Sequence, residues 1–129
     1  MVTKPKLHHV GVQCKNKDQA IVFYQKLLGL NLLKSFILDK ELSSSLFNVS
    51  KDVEVLVFQN ETMYVEVFID DDSYDLRYNH TCIVVPNIDD LITQCELFNI
   101  ESFSVQKGEK RLWFVKDFSG NLFELKGKI

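Results

Sequence analysis

Apolar and polar residues alternate from Leu7 to Cys14, with His8, Val10, Val12 and Cys14 on one side of an extended chain and Leu7, His9, Gly11 and Gln13 on the other. The period then changes. Ala20, Ile21, Tyr24, Leu27 and Leu28 recur at helical spacing, Asn16 stands where an N-cap is needed with Gln19 three residues on, and Gly29 offers the positive φ that stops a helix. Three strand-like runs follow, near Leu32 to Leu38, Val53 to Gln59 and Thr62 to Ile69. The order is βαβββ.

Asp70 to Asp75 is acidic, rich in turn formers and without periodicity, as expected of a linker. A second copy begins beyond it. Asn79 to Val85 reads as a strand, Asn87 as the cap of a helix with the stripe Ile88, Leu91, Ile92, Cys95 and Phe98, and Asn99 as its end. Strands are expected near Glu101 to Gln106, Arg111 to Val115 and Asn121 to Lys126. A repeated order of elements is the mark of an internal repeat even where residue identity is low. The expected fold is therefore α+β, a single domain over 1–129 made of two βαβββ modules, 1–70 and 77–129, that pair into a curved mixed sheet around a cleft. A one-helix module covers one side of its sheet, so ligands are expected on the other.

Composition narrows the functional classes. The 129 residues are 46% hydrophobic and 26% charged, as in an ordinary globular chain long enough to bury a core. A net charge of -3 gives no general attraction to phosphate backbones, and Glu109 interrupts the basic group Lys107, Lys110 and Arg111, which reads as a solvated hairpin. Nucleic acid is not an expected partner. No apolar stretch has the length of a membrane span and Met1 to Lys6 lacks the apolar run of a signal peptide, so a cytoplasmic protein with no membrane partner is expected. In that setting the sequons at Asn48, Asn60 and Asn79 carry no weight. Cys14, Cys82 and Cys95 show no CxxC spacing and read as buried thiols.

Four polar residues stand out against this background. Glu66 lies within Tyr-Val-Glu-Val-Phe and Glu124 within Leu-Phe-Glu-Leu, and a carboxylate among apolar neighbours is costly to bury unless something positive meets it. Strand alternation puts Glu66 with Tyr64 and Phe68, opposite Val65 and Val67. His9 lies opposite Val10 and Val12, and His80 holds the equivalent place in the second module. Taken singly, a strand His or Glu is usually a surface or hydrogen-bonded group. Repetition of His then Glu at matching places is what points to a site. Two imidazoles and two carboxylates suit one divalent ion, nickel, cobalt, manganese or zinc, with two places left for water. His8 competes with His9 for the first place, but its parity groups it with Val10 and Val12 as a strand-edge residue, which favours His9.

At these residues the chain resembles the vicinal oxygen chelate superfamily, which includes glyoxalase I, methylmalonyl-CoA epimerase, extradiol dioxygenases and fosfomycin or bleomycin resistance proteins. The resemblance rests on Leu-His-His-Val-Gly-Val, on Phe23 to Leu30, on Asn-His-Thr-Cys-Ile-Val-Val and on Phe114 to Leu125, and covers nearly the whole chain. Where the family usually has Asp-Pro-x-Gly before its last Glu, this chain has Asp117-Phe118-Ser119-Gly120, in which Gly120 can still supply a positive φ.

The His, Glu, His, Glu set is similar to that of bacterial glyoxalase I. The resemblance implies a divalent-metal-dependent lyase or isomerase, with proton removal next to a metal-bound carbonyl through an enediolate and with Glu124 or Glu66 as the proton carrier. It also implies a small-molecule substrate and a homodimer in which modules of two chains complete one site. An epimerase-like isomerase and a non-catalytic binding or resistance protein are the alternatives. A ring-cleaving dioxygenase, with two His and one Glu on iron, would leave Glu66 surplus. Glutathione-binding relatives commonly carry an Arg where this chain offers Gln13 and Lys15, and neither Arg77 nor Arg111 is assigned a role.

Overall fold

A strand that buries one face and a helix that buries one stripe must be laid against each other, and the chain does this twice. The computed structural model describes residues 7–72 and 79–127. Strand β1 (Val10–Cys14) leads into helix α1, which is α-helical over Lys17–Ala20 and π-helical over Ile21–Leu27. The Asn16 side chain caps it, accepting from the Gln19 amide at 3.0 Å, and Gly29 ends it at φ 74°. The wide turn shows in the bond from the Leu28 amide to the Phe23 carbonyl, five residues back, at 3.0 Å. Then come β2 (Asn31–Leu38), α2 (Lys40–Phe47), β3 (Val53–Gln59) and β4 (Tyr64–Ile69).

The four strands are ordered β1-β4-β3-β2, with β1 parallel to β4 and the others antiparallel. Beyond residue 78 the pattern recurs. Strand β5 (Thr81–Val84), helix α3 (Ile88–Phe98), and strands β6 (Ser102–Lys107), β7 (Lys110–Lys116) and β8 (Leu122–Lys126) form a second sheet, ordered β5-β8-β7-β6, with β5 parallel to β8. Asn87 caps α3 by accepting from the Asp90 amide at 2.9 Å, and Asn99 closes it at φ 57°. The internal repeat is thus one of topology as well as element order. None of the helices in the described residues is long and apolar enough to cross a membrane.

Helix α2 was not expected, because its Ser43-Ser44-Ser45 run hides any apolar stripe. Local caps carry it instead: the Asp39 side chain accepts from the Leu42 amide at 2.9 Å, and Asn48 stops the helix in the left-handed region at φ 58°. Of the thiols, Cys14 and Cys95 are buried as expected, whereas Cys82 is exposed. It pairs with Glu124 across β5 and β8, on the side of the sheet away from α3. The expected linker lies only partly within the described residues, where Asp71 and Asp72 are exposed, and Arg77 lies outside them.

One core joins the two halves. Tyr24 stacks on Phe58 of the first sheet at 5.6 Å between centroids, while Phe23 meets Phe123 of the second at 5.4 Å. The buried set runs through both sheets and both long helices, including Leu56, Val65 and Val67 on one side and Ile83, Val115 and Leu125 on the other. Burial of this apolar surface is the main stabilising term. Through it runs one polar tie. Asp117, 5% exposed, accepts from the Tyr24 hydroxyl at 2.9 Å, the Cys14 thiol at 3.1 Å and the Asn121 amide at 2.8 Å. Its other carboxylate oxygen takes the backbone amides of Ser119 and Asn121, and Gly120 completes the turn at φ 88°. Asp-Phe-Ser-Gly therefore makes its turn without proline.

Two outcomes follow from that tie. Asp117→Ala takes the acceptor from the buried Tyr24 hydroxyl and from the backbone amides of Ser119 and Asn121, and is expected to lower stability by about 3 kcal/mol in urea unfolding. Burial first, and the Asp117 charge second, push the Cys14 thiol and Tyr24 phenol well above their ordinary 9.0 and 10.0. Both are therefore held protonated in the folded chain. Their contribution is complete below the unfolded thiol value and is lost as pH rises beyond it, so the melting temperature should fall above about pH 9. Tyr24→Phe should flatten that decline.

Candidate metal and ligand site

Sheet parity places each expected ligand. Glu66 sits opposite Gly11 on β1 and Val57 on β3, so it shares its face with Tyr64 and Phe68, while Val65 and Val67 fill the helix-side core. His9 precedes β1 and comes to the same face: its Nε2 stands 3.5 Å from Glu66 Oε1. Both side chains are partly open, at 40% and 22%. His8 does not follow the parity expected of it. Its ring lies 5.0 Å from Tyr64 and its Nδ1 is 2.8 Å from Nδ1 of His9, because the strand begins only at Val10 and alternation does not bind the residues before it.

In the second sheet Glu124 lies opposite Cys82 on β5 and Phe114 on β7, with Ile83 and Leu125 turned to the core. Its carboxylate is 3.6 Å from the Lys126 amine. The exposed thiol of Cys82 is raised by partial burial and then by the charge of Glu124. His80 stands just before β5, two residues from Cys82, and borders a cavity. Among the described residues, no three of His9, Glu66, His80 and Glu124 have ligand atoms within 4.8 Å of one another. The chain assembles His9 with Glu66, and has His80 just before β5 and Glu124 within β8 of the second half.

The cavity has a volume of ≈ 430 Å³. Gly11 and Gln13 of β1 and Phe68 of β4 line it from the first sheet, Ser43 and Phe47 from α2, and His80, Asn121 and Leu122 from the second half. Neither Glu66 nor Glu124 lines it. Gln13 is fixed at its edge by donating to the carbonyls of Asp70 and Asp72 at 2.9 and 2.7 Å. Asp70 is opposed by burial, yet the Lys51 amine at 2.6 Å and the Asp72 amide hold its carboxyl below the usual range. Asp70, Asp71 and Asp72 also cluster closely enough to share a cation, but Lys51 already binds Asp70 and Asp72. Ser43, Phe47 and Phe68 escaped the sequence reading. The one signal for the first two was the Asp39 and Asn48 pair bracketing a short helix.

No family model matches the sequence, and neither does any curated protein. Solved structures do match its fold. A fosfomycin resistance protein, FosX, from Listeria monocytogenes superposes with TM-score 0.73 at 15% identity, over 98% of this chain and 96% of that one. A mutant of the same protein, complexed with Mn(II) and 1S,2S-dihydroxypropylphosphonic acid, gives 0.71 at 20% identity over 100% and 95%. A glyoxalase family protein from Enterococcus faecalis gives 0.70 at 21% identity over 93% and 95%. End to end, this chain has the two-module vicinal oxygen chelate fold seen in glyoxalase-family and fosfomycin resistance proteins.

Proposed function

We propose that this chain is a divalent-metal-dependent enzyme of the glyoxalase type, a lyase or isomerase acting on a small oxygenated molecule. His9 and Glu66 of one copy and His80 and Glu124 of a second copy would hold the ion. The observation that carries this is the 3.5 Å approach of His9 Nε2 to Glu66 Oε1 on the face away from the helices; His80, two residues before the Cys82 that pairs with Glu124, corresponds in register to His9, two residues before the Gly11 that pairs with Glu66. Two ligand atoms at about 2.1 Å from one ion in an octahedral shell stand about 3 Å apart, so the His9 and Glu66 pair fits as half a site. An ion of the Ni, Co, Mn or Zn group suits the mixed nitrogen and oxygen set. That a protein of this fold has been crystallised with Mn(II) supports a divalent ion here.

A bound divalent ion supplies Lewis acidity at a substrate oxygen. The chain's own part is to orient the substrate and carry a proton. Glu66 is steadied by His9 and Glu124 by Lys126, so either carboxylate is a candidate to take a proton from a substrate carbon and return it to a neighbouring one. Lyase and epimerase-like isomerase activities share that step. The exchange of halves between copies treats 1–70 and 77–129 as the two units. A binding or resistance protein without catalysis is favoured instead if the four ligands never meet.

Titration of metal-free protein with Mn²⁺, Co²⁺, Ni²⁺ and Zn²⁺ should show one ion per chain, and His9→Ala, Glu66→Gln, His80→Ala and Glu124→Gln should each weaken it by about 100-fold. Absence of stoichiometric uptake would sink the metal reading. Mixing a His9→Ala, Glu66→Ala chain with a His80→Ala, Glu124→Ala chain should restore one full-affinity site per mixed dimer. Failure to restore any would place each site within one chain.

A further inference from the structure

We infer that a second copy of this chain covers the open face of the second sheet: the outer side of α2, with Phe36 of β2, packs in one copy on the face that bears Glu124 in the other, and the same contact is returned. The inference rests on the proposed sharing of half-sites for the choice of a second copy, and goes beyond it in naming the surfaces that meet. The contact itself needs no ion.

The internal repeat shows which face lacks a cover. In the first sheet Val53, Val55 and Val57 of β3 stand on the same face as Glu66 and are all buried, with α2 on that side of the sheet through the contact of Phe47 with Phe68. The equivalent strand of the second sheet is β7. Its Leu112 and Phe114, on the same face as Glu124, are only partly buried, and on the flanking strands of that face Val84 and Val105 are 53% and 47% exposed. Helices α1 and α3 occupy the opposite face, where the shared core lies, so this one is left open among the described residues.

Helix α2 has a second apolar side to offer. Of the eleven large hydrophobics exposed among the described residues, seven lie in β2 and α2 and two on the open face of the second sheet, so the unburied apolar surface is gathered into these two places. Ser43 and Phe47, one turn apart, turn toward the first sheet. Leu42 and Leu46, also one turn apart, form a separate stripe that stays 48% and 59% exposed. Phe36 pairs with Val55 and so stands on the side of the sheet that α2 occupies, where it too is exposed.

Area and symmetry identify the occupant. With about 150–250 Å² for a whole aromatic side chain and somewhat less for leucine, Phe36, Leu42, Leu46 and Phe47 leave on the order of 400 Å² open, and the face of the second sheet adds roughly 300 Å². Together these approach the roughly 800 Å² that each partner gives to a stable interface. Both surfaces belong to every chain, so two copies about a two-fold axis bury each surface twice and leave neither open. An unrelated partner would satisfy only one of them. The charges on the face do not oppose burial, because Lys116 is held by Glu101 at 3.7 Å and lies over the Phe103 ring at 5.7 Å, and Lys126 is held by Glu124 at 3.6 Å. The contact also brings the first half of one copy to the face of the other that carries Glu124.

The test is sedimentation of the full chain in chelator, joined to isotope-filtered nuclear magnetic resonance on a mixture of labelled and unlabelled copies. Wild type should sediment as a dimer at about 100 μM, and Leu46→Arg and Val105→Asp, both at exposed side chains that accept a charge without unfolding, should each raise the dimer Kd about 100-fold. Leu97→Arg, on α3 at a side chain 75% exposed, should leave it unchanged. Between copies, the methyl groups of Leu42 and Leu46 should show contacts to the rings of Phe103 and Phe114. A monomer at that concentration, a dimer indifferent to Val105→Asp, or contacts that join α2 to α2 overturns the inference. A dimer with these contacts that takes up no metal upholds the interface and removes the metal reading. A monomer that binds one ion per chain does the reverse, leaving a metal site within one copy.

Discussion

Because strand side chains alternate, a sheet that buries one face against helices fixes what its other face can present. Here that constraint acts twice. Helices α1 and α3 share one core with both sheets, so Val65 and Val67 in β4 and Phe123 and Leu125 in β8 must turn inward. Glu66 and Glu124, each between two of those residues, are then obliged to turn away from the helices. No special interaction is needed to expose the carboxylates; the packing of their neighbours does it. His9 reaches Glu66 because it lies at the entrance to β1, the strand paired with β4.

The two halves are held in a fixed relation by Asp117. Its carboxylate draws Tyr24 and Cys14 of the first half and Asn121 of the second onto one point, while its own turn starts β8. A buried anion is tolerated because every bond it accepts comes from a positioned donor. The same turn sets Asn121 and Leu122 at the cavity, so the polar tie within the core also shapes the ligand space beyond it. Helix α2, which among the described residues has no counterpart in the second half, closes that space from one side.

Much of this was legible in the chain. Caps at Asn16, Asn87 and Asn99 and the stop at Gly29 were readable because each depends on local chemistry, and the strand runs because burial imposes alternation. The parity of Glu66 and Glu124 followed from those strands. Parity did not extend to His8, which stands outside the ladder and turned to Tyr64 instead. Helix α2 was hidden because three serines replace the apolar stripe, and with it went Ser43 and Phe47. Cys82 was misplaced because a thiol reads as a core residue, whereas here its strand partner is Glu124. Whether four ligands on two sheets meet is a tertiary or quaternary matter that no local pattern encodes. The described residues bring together His9 and Glu66.

The central claim is that these two half-sites share one ion. X-ray absorption at the cobalt edge of stoichiometrically loaded protein tests it directly. The account predicts two imidazole ligands in a shell of nitrogen and oxygen at about 2.1 Å. A shell of oxygen alone, as the Asp70, Asp71 and Asp72 cluster would give, or one with a single imidazole, would contradict it.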